Sequence, residues 1–144
     1  MFGLCVLSVL VRMIPFRLSA KPGVPIYEQA VYAATRAIVA GQLRVGDPFP
    51  SVRALSRELK INPNTAHKVI AQLLSDGLLE SHPGIGTVVA KLPGARSSEK
   101  TELLNRQIEE LVVEAKRLSI GLVEVAVAVE KHWRRLTSAE EIAK

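Results

Sequence analysis

Residues 51–70 read SVRALSRELKINPNTAHKVI, and this stretch contains two helix starts separated by a short turn. Ser51 is a strong N-cap residue for a short helix that ends near Leu59. Asn62 can cap a second helix, and Pro63 then occupies the first helical position, where its missing N–H costs nothing. The apolar residues of this second helix recur on one side: Ala66, Val69, Ile70, Leu73 and Leu74. Two helices joined by so short a connection predict a helix-turn-helix.

The residues on either side complete a winged helix. Upstream, a helix with Pro25 in its first turn and Gly41 after its end is indicated by apolar residues at helical spacing: Tyr27, Val31, Ala34 and Ile38. Downstream, the short apolar runs 78–81 and 87–90 flank a Gly/Pro turn, which predicts a β-hairpin. The order helix, helix, helix, strand, strand predicts a mainly α fold with a small β-hairpin, a winged helix-turn-helix.

The back of the chain predicts a separate helical region. Residues 91–98 have the composition of a linker. Beyond them, an amphipathic seam at 4-3-4-3 spacing comprises Leu104, Ile108, Leu111, Ala115 and Leu118. After a break at residues 119–121, the segment 122–136 is ambiguous: its valines alternate as in a strand, whereas its length favours a helix with Leu122, Ala126, Val129, Trp133 and Leu136 on one side.

This back region is expected to form a homodimer. The seam at 104–118 would leave a row of apolar side chains in water if it packed on nothing, and the last helix can cover only part of it. The sequence therefore predicts a short two-helix dimerisation region over residues 99–136. Its candidate interface residues are Leu104, Ile108, Leu111, Ala115, Leu118, Leu122, Val129 and Trp133.

The charge is distributed unevenly along the 144 residues. The net charge is +5, but residues 1–98 hold 11 Lys/Arg against 5 Asp/Glu, and residues 99–144 hold 8 against 9. The front of the chain therefore carries a net charge of +6 and the back −1, which favours an anion-binding front and a back that faces a second copy. Only 4% of the residues are aromatic, so an aliphatic core is expected. The length excludes a barrel enzyme or a two-domain dehydrogenase.

The sequence gives no support for catalysis, a cofactor or a metal. There is no nucleophile-elbow serine, phosphate loop or paired acids in an apolar setting, and His67, His82 and His132 stand apart. The lone cysteine, Cys5, predicts a reducing, cytoplasmic setting. Residues 1–12 are interpreted as a non-native or disordered upstream extension with Met13 as the true start; a peripheral anchor is the less favoured alternative, and no membrane partner is expected.

A cluster of polar and basic residues surrounds the start of the predicted recognition helix. In a helix-turn-helix, this helix presents its N-terminal residues to base edges in the major groove. Amide side chains can read adenine, threonine offers a hydroxyl or a methyl group, and a helix N-terminus also suits a phosphate. The candidate DNA-binding residues in this cluster are Arg53, Asn62, Asn64, Thr65, His67 and Lys68.

Each member of this cluster also has a simpler interpretation. Capping is the expected main role of Asn62, Arg53 can form an ion pair with Glu58, and His67 can be an ordinary exposed residue. Taken together the residues favour DNA, because the positive charge lies in the same half of the chain.

These elements resemble the DNA-binding domain of the GntR family of bacterial transcription regulators. The resemblance covers residues 13–90 and rests on five stretches in the order and spacing of the family: GVPIYEQ at 23–29, GDPFPSVRAL at 46–55, NPNT at 62–65, DGLLE at 76–80 and GIGT at 84–87. The short tail resembles that of the YtrA-type subfamily, in which a small two-helix part serves dimerisation.

The resemblance implies a role for each matching residue. Arg53 contacts DNA near the start of the second helix, and the segment with Asn64 and Thr65 enters the major groove, with His67 and Lys68 close behind. The wing, with Gly84, Gly86 and Thr87, approaches the minor groove. Pro83 and Ile85 flank Gly84 where the family often carries arginines, so a strong wing contribution is not expected. His67 stands where a small polar residue is common, so operator preference is expected to differ.

The resulting hypothesis is a sequence-specific DNA-binding regulator, a dimeric repressor of an inverted-repeat operator in double-stranded DNA. The alternative is a winged-helix module that binds protein rather than DNA. The predicted organisation is an extension at 1–12, a DNA-binding domain at 13–90, a linker at 91–98, a dimerisation region at 99–136 and a tail at 137–144. The sequence does not identify a small-molecule effector.

Overall fold

The structure, a computed structural model, describes residues 14–18 and 21–137. It divides the chain into two units, one that ends at Leu92 and one that runs from Pro93 to Thr137. The interpretations of residues 1–12 and of the tail after residue 137 lie outside the described residues. Among the described residues, every helix falls short of the length and apolar character that a bilayer span requires.

Helices and one hairpin occur in the predicted order in the described part of the first unit. They are α1 (Ile26–Val39), α2 (Val52–Leu59), α3 (Pro63–Ser75), β1 (Leu79–His82) and β2 (Gly86–Val89). The two strands are antiparallel, and this order confirms the predicted winged helix-turn-helix. Both strands extend one residue further toward the turn than predicted, because pairing continues to the register position His82–Gly86.

The first helix begins one residue later than the sequence predicts. Pro25 is the N-cap of α1, not a residue of its first turn, and has an extended backbone conformation with φ of −57° and ψ of 143°. At the other end the prediction is confirmed, because Gly41 has a φ of +77° directly after the C-cap Ala40. A positive φ is open to glycine at little steric cost, so this residue ends the helix.

Side-chain capping explains where α2 and α3 begin. The Ser51 hydroxyl accepts a hydrogen bond from the Ala54 N–H at 3.2 Å. The Asn62 side-chain oxygen accepts one from the Asn64 N–H at 2.8 Å, and Pro63 is the first residue of α3. Each cap satisfies a backbone donor that the helix itself leaves without a partner. Both predicted caps are therefore confirmed.

Two hydrogen bonds between Ser56 and Ile61 hold the turn between α2 and α3, and they span a residue in the left-handed conformation. Lys60 ends α2 with a φ of +54° and a ψ of 47°. Across it, the Ser56 hydroxyl donates to the Ile61 carbonyl at 2.6 Å, and the Ile61 N–H donates to the Ser56 carbonyl at 3.1 Å. These two bonds fix the direction in which the chain enters α3.

A third extended segment supports the hairpin. The Gly46 N–H donates to the Val89 carbonyl at 2.8 Å, and the Val89 N–H donates to the Asp47 carbonyl at 2.9 Å. The Phe49 N–H donates to the Thr87 carbonyl at 2.8 Å. Residues 46–49 thus pair with β2 on the edge away from β1, so the wing is tied to the connection that leads into α2.

The core of the first unit lies between α1, α2, α3 and the hairpin. It is largely aliphatic, as predicted, but Phe16 and Phe49 stack within it with ring centroids 6.3 Å apart. Leu55, Leu73, Val69 and Val89 are its largest fully buried side chains. The whole cluster comprises Phe16, Ala30, Ala34, Ala37, Ile38, Leu43, Phe49, Leu55, Ala66, Val69, Ile70, Leu73, Leu78, Leu79 and Val89.

The second unit is helical throughout its regular elements. It contains α4 (Ser97–Thr101), a π-helical segment (Glu102–Gln107), α5 (Ile108–Arg117) and α6 (Leu122–Leu136). The helical interpretation of 122–136 is confirmed. The π-helical segment was not predicted, and it changes the angular spacing between Leu104 and Ile108, because its hydrogen bonds join residues five apart instead of four.

Ion pairs along the helices account for much of the exposed charge in the second unit. Arg106 pairs with Glu102, and Arg134 pairs with Glu130, each across one helical turn. The Arg117 guanidinium, hydrogen-bonded to Glu114 at 2.9 Å, lowers the pKa of that carboxyl below its ordinary value. The charges of this unit therefore largely neutralise one another.

Candidate nucleic-acid interface

Helix α3 has two faces of opposite character. Ala66, Val69, Ile70 and Leu73 follow the spacing i, i+3, i+4, i+7 and are all buried. Asn64, His67, Lys68 and Ala71 follow the same spacing and are all exposed. Because the buried face packs against α1 and α2, the exposed face is fixed in position and available to a partner.

The polar start of α3 contains one residue whose side chain caps the helix and others whose side chains stabilise no part of the fold. Asn62 uses its side chain for the cap, which confirms the role expected for it. The Asn64 side chain is exposed and forms no hydrogen bond with any residue that the structure describes. Thr65 is half-buried beside it. Pro63 has no N–H and the Asn64 N–H is bound by the Asn62 side chain, so the remaining free donors at this end of α3 are what the helix start can offer to an anion.

The basic residues near α3 are exposed and unneutralised. Arg53 lies in the first turn of α2, and neither it nor Lys68 forms an ion pair within the described residues. The predicted alternative of an Arg53–Glu58 ion pair is therefore not observed. An exposed cation without an internal partner can contact a phosphate without first breaking an ion pair within the protein.

A contact between α1 and α3 was missed by the sequence analysis. The Tyr27 hydroxyl donates to the side-chain oxygen of Gln72 at 2.9 Å, and the two residues lie 45 positions apart. Tyr27 and Gln72 line a shallow depression of about 520 Å³ together with Thr65, Lys68 and Ala71. Periodicity placed Tyr27 on the first helix, but Gln72 carried no signal, and no local pattern could have paired the two side chains.

The wing ends in a tight turn that projects one apolar side chain. The Ile85 N–H donates to the His82 carbonyl at 3.1 Å, with Pro83 and Gly84 between them and a φ of +77° at Gly84. A proline followed by a residue with positive φ is the arrangement of a type II turn. Gly86 has a φ of +101°, and Ile85 is 75% exposed. Thr87 is half-buried in β2, so it lies behind the tip rather than on it.

The residues predicted for dimerisation lie on the surface of the second unit, with one exception. Ala115 is buried, and it is the only buried residue within 93–137. The others are exposed: Leu104, Ile108, Leu111, Leu118, Leu122, Val129 and Trp133. Trp133 is 73% exposed. Taken by itself, this unit has no hydrophobic core.

The described residues contain no group of three or more His, Cys, Asp or Glu side chains placed to hold a metal ion. The titratable side chains of the first unit instead occur singly or as one pair, His82 with Glu80 at 3.1 Å on β1.

Comparison with known proteins identifies the same region. Residues 26–89 match the family described as bacterial regulatory proteins, gntR family. The HTH-type transcriptional repressor YtrA of Bacillus subtilis (strain 168) is 28% identical over 107 residues, which span 74% of this chain and 82% of that protein. The similarity thus extends beyond the winged helix into the second unit.

Solved structures share the fold over most of the chain. A transcriptional antiterminator from Listeria monocytogenes EGD-e superposes with a TM-score of 0.74 at 23% identity, over 85% of this chain and 92% of that one, which shows a common fold. A GntR family transcriptional regulator from Listeria monocytogenes superposes with a TM-score of 0.59 at 25% identity, over 78% of this chain and 98% of that one.

Proposed function

We propose that this chain, which belongs to the gntR family of bacterial regulatory proteins through its domain at residues 26–89, is a transcription regulator that binds operator DNA as a homodimeric repressor. The observation that carries the proposal is the exposed stripe on α3 at Asn64, His67 and Lys68, set opposite a stripe that is fully buried. A helix that is packed on one face and polar on the other can enter the major groove while the fold stays unchanged. The proposal assigns the chain no catalysis and places it in the cytoplasm.

The roles of the residues follow from their environment. Arg53 and Lys68, exposed and unpaired among the described residues, would contact phosphates. Asn64, whose side chain carries no structural hydrogen bond there, would read a base edge with Thr65 beside it. Asn62 would serve the interface indirectly, because its cap fixes the start of the helix. Repression is supported by the similarity to a transcriptional repressor.

Dimerisation is supported by the lack of a core in the second unit. Soluble monomers rarely expose large apolar surfaces, and burial of Leu111 and the other exposed apolar residues of this unit against a second copy would remove them from water. A two-fold pair of winged helices would bind an inverted repeat whose half-sites lie about one helical turn, or 10 base pairs, apart. The organisation proposed is therefore a DNA-binding domain, a linker near residues 91–98 and a dimerisation region that ends near residue 136.

The test is the salt dependence of DNA binding. The full chain is used to select duplexes from a random library, and its affinity for the selected duplex is measured between 50 and 200 mM salt, where each neutralised phosphate contributes about 0.9 to the slope of log K against log salt. Arg53→Ala should flatten that slope by about one unit on any duplex. Lys116→Ala, which removes one positive charge from α5, is the matched control and should leave the slope unchanged.

Two results would count against the proposal. A wild-type chain that selects no duplex, or whose weak retention on DNA does not respond to salt, would favour the winged-helix module that binds protein. A footprint that covers a single asymmetric half-site would contradict the dimer while leaving DNA binding intact.

A further inference from the structure

We propose that the two copies of the chain exchange their last helices: α6 of one copy packs on the apolar stripe of α5 of the other, antiparallel to it. This inference rests on the proposed function, because it requires a homodimer through the second unit, and it specifies how that homodimer is built. The cause of the exchange is the short connection at residues 118–121, which holds α6 away from α5 of the same chain.

Helices α5 and α6 diverge after the turn that joins them. Within the described part of the second unit, α6 forms no extended contact with α5 or with the π-helical segment. Ala115 is buried and Val125 is half-buried close to the turn, but every residue from 126 to 135 is exposed. Antiparallel helices joined by a short loop normally cover each other along their lengths. Here the apolar surfaces of both helices remain uncovered within one chain.

Each of the two helices carries an apolar stripe that is complementary to the other. On α6 the apolar residues at helical spacing are Leu122, Val125, Ala126, Val129, Trp133 and Leu136. On α5 they are Ile108, Leu111, Val112, Ala115 and Leu118. Helix α6 has 15 residues, as many as the stretch from Leu104 to Leu118, so the two surfaces also match in length. One chain therefore supplies both halves of a helix–helix interface but does not join them.

Hydrogen bonds at both ends fix the connection between the helices. Ser119 has a φ of +59°, and the Ile120 N–H donates to the Ala115 carbonyl at 2.9 Å, which ends α5. The Gly121 N–H donates to the Glu124 carboxylate at 3.2 Å, which holds the start of α6. A connection this short sets the direction in which α6 leaves the turn. Short hinges of this kind favour the exchange of an element between copies.

Charge complementarity indicates which helix covers α5 and in which direction. Residues 97–114 hold five Glu against two Lys/Arg, a net charge of −3, whereas residues 131–135 hold three Lys/Arg and no acidic residue. Among the described residues, Glu109, Lys131 and Arg135 form no ion pair. An antiparallel α6 brings its basic end beside the acidic start of α5. Because α6 of the same chain is held away, the helix that fits this surface is α6 of a second copy.

The test asks whether a disulfide between the two stripes forms within one chain or between two chains. In the full chain with Cys5→Ser, Leu111→Cys and Val129→Cys place one thiol on each stripe, at equal distances along the sequence from the turn. We expect mild oxidation to join two chains, so that most of the protein migrates as a covalent dimer on a nonreducing gel. Val113→Cys with Val127→Cys is the matched control, because this pair is also equidistant from the turn but lies outside both stripes; it should stay largely uncrosslinked.

A second arm lengthens the connection. Insertion of about four Gly/Ser residues after Ser119 gives a connection of about eight residues, within the usual range for antiparallel helix pairs. A flexible connection of this length lets α6 fold back on its own α5. The chain with both stripe cysteines should then form its disulfide internally and migrate as a monomer. The same insertion after Gly94 is the matched control and should leave the covalent dimer unchanged.

The outcomes separate the exchange from the proposed function. An internal disulfide without the insertion, or no disulfide in a chain that light scattering shows to be dimeric, would refute the exchange and leave the homodimer standing. A covalent dimer that persists after the insertion would exclude the short connection as the cause.

A version with one substitution per chain guards against loss of the dimer in the double variant. Chains with Leu111→Cys alone and Val129→Cys alone, distinguished by a mass tag, are mixed and oxidised. They should form a crosslinked heterodimer, and its absence would refute the exchange. If the wild-type chain is monomeric by light scattering, the proposed homodimer itself fails, whereas binding to the selected duplex is measured independently.

Discussion

Two substitutions of Asn62 distinguish its role as the cap of the recognition helix from a role in contacting DNA. Asn62→Ala removes the acceptor that holds the Asn64 N–H at 2.8 Å, and loss of such a cap costs about 1 kcal/mol of the free energy of unfolding, within a range of 0.5–2. Asn62→Asp keeps an acceptor and adds a negative charge at the helix N-terminus. No acidic residue occupies the first turn of α3, so this charge should stabilise by about 0.3–1 kcal/mol.

The two variants should therefore rank in opposite orders for stability and for DNA binding. Asn62→Asp should be the more stable by about 1.5 kcal/mol, the cap loss and the dipole gain together. It should nevertheless bind the selected duplex more weakly than Asn62→Ala, because its carboxylate faces the phosphates and repels them. Asn62→Ala removes the cap but adds no charge, so it should bind the selected duplex only slightly more weakly than wild type does wherever both are fully folded.

Urea unfolding of the full chain measures the first quantity. Both tyrosines, Tyr27 and Tyr32, lie on α1, whereas the one tryptophan, Trp133, lies on α6, so tyrosine absorbance follows the first unit separately. Asn64→Ala is the matched control, because its side chain is exposed and its unfolding free energy should stay within about 0.5 kcal/mol of wild type. If Asn62→Asp unfolds as easily as Asn62→Ala, the side chain at position 62 is not a cap and the assignment is wrong.

The remaining predictions concern base reading, the dimer and one ion pair. Asn64→Ala should lose about 1–3 kcal/mol of discrimination between the selected duplex and random DNA, measured by competition, and an equal loss on both duplexes would make Asn64 a backbone contact instead. Leu111→Glu should give monomers by light scattering, whereas Val113→Glu should stay dimeric. Val113 lies among charged side chains, namely those of Arg106, Glu109, Glu110 and Glu114. If both variants are dimeric, the predicted interface is excluded. Arg117→Gln should raise the pKa of Glu114 toward its ordinary value, as measured by NMR titration. Since the pKa of Glu114 is lowered in the folded state, the ion pair stabilises the helix above the unfolded-state pKa, and this stabilisation is lost as the pH falls through the folded-state pKa. An unchanged pKa in the variant would contradict this.

Local signals in the sequence were sufficient for the winged helix. Capping residues and proline act on the backbone within three positions of themselves, so Ser51, Asn62 and Pro63 located the starts of α2 and α3. The buried face of α3 followed from a period of 3.6. What local signals could not supply were contacts between distant residues, such as the hydrogen bond between Tyr27 and Gln72 or the pairing of residues 46–49 with β2.

The turn of the helix-turn-helix shows a different limit of prediction from the sequence. Lys60 takes a left-handed conformation that lysine rarely adopts, and nothing in its side chain predicts this. The two hydrogen bonds between Ser56 and Ile61 close a local helix end around this residue, a position at which glycine is the usual signal. The π-helical segment at Glu102–Gln107 was missed for a similar reason, since its sequence has an ordinary helical composition.

The contrast between the two units indicates how association and DNA affinity are connected. The first unit has its own buried cluster, whereas 93–137 buries only Ala115. Most of the stability of a helix in a protein comes from packing of its apolar face, and α6 has no buried residue, so a partner that covers this helix would stabilise it. If that partner is a second copy, association orders the second unit and at the same time links two DNA-binding domains. Binding of one half-site then raises the effective concentration of the other domain at the second half-site. The net charge of +6 over residues 1–98 and −1 over residues 99–144 fits this division, because phosphate binding needs a positive field and close approach of two like chains needs a balanced one.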